Sequence, residues 1–187
     1  MDDLSANAAV IERELAWLSD AIHQRLGHYF DGSAGAPSGP DAPALPDSGG
    51  TYGRTVEELE LGAHERLALI LVLAPHVRPQ ALDAFLTQNQ QTGKRFTEFG
   101  GRVVHDYFLP TIETALFLLA GDNLELRLRL RRLLAPAGRL VSSGLLDCEA
   151  GQPGLPDGAP PLRLSSDGLA RLLGEAASCE RALRAGI

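Results

Sequence analysis

The run Thr92-Gly93-Lys94-Arg95 is where residue types first suggest chemistry. A Gly-Lys pair can wrap a phosphate in backbone N–H groups and bring an ammonium to it. The spacing is wrong for that use. Gln88 stands where the first glycine of such a loop belongs, and Arg95 stands where Ser or Thr would reach a magnesium ion. His105-Asp106 has the types of an acid–base pair, but no Ser, Cys or second carboxylate has the context of a nucleophile. His64 and His76 lie at opposite ends of one predicted helix, too far apart to share a metal from one side of it. Cys148 and Cys179 have neither metal-ligand spacing nor a disulfide framework and read as reduced thiols of a cytoplasmic protein. No catalytic, cofactor-binding or metal-ligating set is assigned, and the chain is not expected to be an enzyme.

The remaining chemistry is recognition. Arg127, Arg129, Arg131 and Arg132, joined by Arg139, form the one basic cluster. The net charge of -7 would repel a phosphate backbone unless a local patch overcame it. Base reading also needs polar side chains beside the arginines, and here leucines alternate with them. A solvated face or an acidic protein partner is the expectation, and nucleic acid the alternative. In residues 92–101, Phe96 and Phe99 flank Glu98 ahead of Gly100-Gly101. They either pin a structural loop to the core or dock a partner protein, and both readings stay open.

These residues need elements to hold them. Residues 110–121 read as a buried helix: Pro110 precedes it, Thr111 caps it, the run from Ala115 to Ala120 is continuously apolar, and Gly121 takes the C-terminal turn. Residues 124–134 alternate like a strand at first. They are assigned to a helix because Asp122 or Asn123 can cap them, the run is long, and Leu and Arg favour helix. A helix beginning at residue 63 should end at Pro75, and Pro79 should open another with Leu82, Phe85 and Leu86 inward. Residues 144–149 and 162–165 predict a hairpin whose long Pro-rich tip is a candidate wing. Ser166, or alternatively Ser165, caps a last helix with Leu169, Leu172 and Leu173 inward.

Residues 1–31 predict an amphipathic helix with Leu4, Ala8, Ile11, Leu15, Leu18, Ile22, Leu26 and Tyr29 on one face and Glu14 and Arg25 among the residues facing water. Two fates are open to it: folding back on its own domain, or pairing with another copy or a different protein through Leu4, Ile11, Leu15, Leu18 and Ile22. Residues 32–53, rich in Gly and Pro, read as a linker, and residues 175–187 as a helical tail. The chain opens Met-Asp-Asp without a signal-peptide pattern, and its longest apolar run, residues 67–75, is about half of a membrane span.

Residues 54–174 resemble the winged-helix domain that precedes the ATPase core in bacterial AAA+ ATPases associated with contractile injection systems. Four stretches carry the likeness: Glu65-Arg66-Leu67, the residues 74–79 Ala-Pro-His-Val-Arg-Pro, the residues 93–101 Gly-Lys-Arg-Phe-Thr-Glu-Phe-Gly-Gly, and the residues 108–122 from Phe108 to Asp122. In that family the Walker motifs, and with them ATP and magnesium, belong to a core that follows this domain; neither motif is present here. The resemblance implies an N-terminal piece of a longer ATPase, or a separate protein that kept only the accessory domain. It also implies a mainly α, winged-helix-like fold with a small hairpin wing. The implied role is non-catalytic: recruiting or positioning a protein, such as a component of the injection particle. The spacing of the first helix, which lies outside the resemblance, allows homo-oligomers; no membrane partner is expected, and nucleic acid stays the alternative.

Overall fold

The computed structural model describes residues 3–32, 40–46, 49–147, 154 and 160–175. The fold is mainly α: helices α1 (Asp3–Asp31), α2 (Gly50–Glu58), α3 (Ala63–Val77), α4 (Ile112–Ala120), α5 (Leu124–Leu133), α6 (Arg139–Ser142) and α7 (Ser166–Leu173). Two short antiparallel hairpins complete it, β1 (Arg102–Val104) with β2 (Tyr107–Leu109), and β3 (Leu146–Asp147) with β4 (Arg163–Leu164). A 3-10 helix over Pro79–Leu86 joins α3 to the first hairpin region.

The centre is α3, whose residues 67–74 are all buried. An apolar surface on every side suits a helix surrounded by others, and α1, α4 and the 3-10 helix lie against it. Pro75 does not end α3, contrary to expectation. It lies in the last turn, where it forfeits one intrahelical N–H bond without stopping the helix, and Arg78 N–H still reaches Ala74 O at 2.8 Å.

After α3, the chain runs through the 3-10 helix, β1, β2, α4, α5, α6, β3 and β4, and Thr111, just past β2, forms an isolated antiparallel bridge with Pro161, just before β4. Leu162 N–H donates to Pro110 O at 2.9 Å. This is winged-helix-like topology, with α4 and α5 in the helix-turn-helix positions and β3–β4 as the base of the wing. Thr111 caps α4 as expected, its hydroxyl accepting from Thr114 N–H, and Gly121 ends it at φ 51°. Asn123 caps α5 by accepting from Leu126 N–H at 3.0 Å. The last helix is capped by Ser165 rather than Ser166. The wing tip and Cys148 lie outside the described residues, as do Cys179 and the predicted tail beyond residue 175.

The first helix folds back. Ile11, Leu15, Leu18 and Ile22 belong to the same core as α3, so the partner-binding role expected of them is corrected: their apolar surface is spent within the chain. Leu4 alone of that set is exposed. The buried face of α1 is wider than its apolar stripe, because Asn7, Glu14 and Arg25, two of them expected in water, are buried with partners. Glu14 accepts from Arg66 and from Tyr52 OH, the latter at 3.1 Å. Asn7 accepts from Tyr52 N–H at 2.7 Å and donates to Leu172 O at 2.9 Å. Burial and the Glu14 carboxylate together push the Tyr52 hydroxyl well above its ordinary value.

The expected linker is also partly built into the fold. Trp17 Nε1–H donates to Pro40 O at 2.7 Å and Arg66 to Pro43 O at 2.8 Å, while α2 begins at Gly50, inside the stretch read as tether.

Candidate functional site

The positions singled out by sequence separate into three places. The first is the core, already described. The second is the loop 92–101, which the structure pins down. Phe99 is fully buried, its ring 4.9 Å from that of Phe117 and 5.3 Å from that of Tyr29, and Phe96 lies half-buried 5.1 Å from Phe99. Edge-to-face and tilted aromatic pairs at these separations are favourable beyond their buried area. Burial and the neighbouring Glu98 carboxylate raise the Tyr29 hydroxyl above its ordinary value. The structural reading of this loop therefore holds for Phe99, while Phe96 keeps one partly open side.

The chemistry-like motifs around that loop become turns. Gln88 pairs with Arg95 across a turn shaped by Asn89, whose side chain accepts from Gln91 N–H and Thr92 N–H, so residues 92–95 do not form a phosphate loop ahead of a helix. His105 and Asp106 are the two central residues of the β1–β2 hairpin, both at positive φ, as a tight right-twisted turn demands. The sequence predicts no hairpin here; its one signal is the β-branched and aromatic residues Val103, Val104, Tyr107 and Phe108 on either side of His105-Asp106. Burial depresses the His76 imidazole below its ordinary value. Among the described residues no group of His, Cys, Asp and Glu side chains has the arrangement of a metal site.

The third place is α5. Successive residues of an α-helix turn by about 100°, so leucines at every second position cannot all face inward. Leu126, Leu130 and Leu133 fall on one side and pack on Ile112, Leu116, Leu119 and Ala120 of α4. Leu124 and Leu128 fall about 40° apart on the other side, where they are 68% and 58% exposed. Arg131 and Arg132 flank them, both exposed and without an ion pair or side-chain hydrogen bond among the described residues. The other arginines are engaged. Arg127 pairs with Glu113 and donates to Gly121 O at 2.9 Å, Arg129 pairs with Glu125 one turn away, and Arg139 donates to Glu60 O and Leu59 O. The expected five-arginine cluster is therefore divided, and the free face of α5 is two leucines and two arginines.

Comparison of the chain with protein-family models, with curated proteins and with solved structures finds no match. Among the described residues no single helix is long and apolar enough to cross a membrane; α3 and the 3-10 helix pass such a test only together, across a 104° bend.

Proposed function

We propose that this chain is a non-catalytic docking module whose α5 face binds a protein with an acidic, partly apolar surface. The observation that carries the reading is the exposure of Leu124 and Leu128 between Arg131 and Arg132 on the helix that a winged-helix-like fold presents outward. Leucine side chains gain by leaving water and cannot bond a phosphate or a base edge, whereas the arginines can each pair bidentately with a carboxylate. In keeping with the resemblance of residues 54–174, the module belongs to a AAA+ ATPase of a contractile injection system in the bacterial cytoplasm. There it recruits or positions a component of the particle, and nucleotide turnover resides in a core elsewhere. Duplex nucleic acid is the second reading, favoured by the helix-turn-helix position of α5; the acidic total charge and the divided arginine cluster weigh against it.

Site-specific photo-crosslinking decides between them. A photoreactive residue at position 128, in cells expressing the chain, is expected to capture a protein. Purified, that protein should bind the wild-type chain and lose affinity at least about tenfold with Leu128→Asp or with Arg131→Glu. Capture of nucleic acid from position 128, or no adduct above that from position 94 in the exposed turn, would overturn the reading.

A further inference from the structure

Between α1, α3, α4 and the segment at residues 40–42 lies a partly open cavity of about 240 Å³. Its walls are mostly apolar, with Trp17, Ala21, Leu67, Leu118 and Leu119 among them. Arg25 also lines it, although this side chain is 94% removed from solvent by its 6% residual exposure. Arg25 Nε–H donates to Leu118 O at 3.1 Å, and the guanidinium lies against Gly121 at the end of α4. Among the described residues its terminal nitrogens have no hydrogen-bond partner and no carboxylate lies within ion-pair distance of it. A cation placed so deeply is costly unless an anion meets it. Burial lowers the Arg25 affinity for its proton, and Asp122 offsets this only by acting from farther away.

The same cavity is lined by Ala63 and His64, in the first turn of α3, where backbone N–H groups lack intrahelical partners and the helix dipole favours negative charge. The Glu65 carboxylate accepts from Gly62 N–H there, at 3.0 Å. One acid, Asp41, lies exposed on the rim, where water screens it.

We propose that this cavity binds a small monocarboxylate with an apolar body, its carboxylate on Arg25 and the first turn of α3 and its hydrocarbon against Trp17 and the leucines. An enclosed apolar lining with a few convergent polar groups is the usual form of a small-molecule site. The proposal is independent of the docking face on α5, which lies elsewhere on the fold.

Trp17 is the only tryptophan, so its emission reports the cavity directly. The whole chain is titrated with hexanoate, with 1-hexanol and with inorganic phosphate at constant ionic strength. Hexanoate is expected to give a saturable change, with half-saturation at least about tenfold below that of 1-hexanol or phosphate. Gln24→Glu, an exposed substitution beside Arg25, should weaken hexanoate at least about fivefold. Arg25→Gln should abolish the saturable change while far-UV circular dichroism stays helical; if that variant unfolds, Gln24→Glu decides. Equal response to hexanol or to phosphate, a non-saturable response to hexanoate, or indifference to Gln24→Glu would overturn the proposal.

Discussion

Glu14 shows how a single residue can carry more than its sequence context suggests. It follows Arg13 in sequence, but at about 100° per residue its neighbours on the helix surface are Asn7, Val10, Ile11, Trp17 and Leu18, and it is 1% exposed and accepts hydrogen bonds from Arg66 and Tyr52. Arg66 in turn stacks over Trp17 at 5.6 Å and holds the Pro43 carbonyl. Removing one partner of such a pair strands the other charge without water, so Glu14→Leu alone or Arg66→Met alone should destabilise the chain by about 3–5 kcal/mol. The double substitution Glu14→Leu with Arg66→Met should recover most of that loss, because both desolvation costs vanish together. Urea unfolding of the four chains of this cycle measures the coupling, and additive losses would show that the pair does not act as one unit. Nothing in the sequence could have revealed this pairing. A carboxylate is buried only when tertiary structure brings it a cation, and Arg66 is far away in the chain.

At the scale of elements, reading the sequence succeeded where one periodicity and one cap agreed. Residues 112–120 have an unbroken apolar run, a Thr cap and a Gly stop, and the element begins and ends where those signals place it. The helical assignment of residues 124–133 rested on their cap and length, and it holds; their alternation then explains why two leucines remain in water. Three-residue strands such as β1 and β2 carry too little pattern to announce themselves. Their placement depends on close packing at Gly101, which has φ 74° and where a Cβ would run into the Phe108 ring. Gly101→Ala should therefore cost roughly 1–3 kcal/mol through strain and displacement of Phe108. The loss is read as a lower thermal midpoint, and a change within error would mean that the hairpin can shift without disturbing Phe108, whose ring stacks on that of Phe85 at 5.2 Å.

For the whole molecule, the decisive feature is that α1 is an integral wall of the core. Its amphipathic spacing fitted both self-association and folding back, since an apolar stripe records that a partner surface exists and not which chain supplies it. The polar contacts from Asn7, Glu14 and Arg25 to α7, α2, α3 and α4 supply what spacing alone lacked, namely a specific seat. With that face consumed internally, the proposed docking face is the outward side of α5, where Leu124 and Leu128 are exposed. Hydrogen–deuterium exchange along residues 10–25 tests this most directly. These amides are predicted to exchange as slowly as those of residues 67–74, with rates unchanged when the protein is diluted over about two orders of magnitude. Rapid exchange in α1 while α3 remains protected, or protection that fades on dilution, would contradict the account by making α1 an element completed by another molecule.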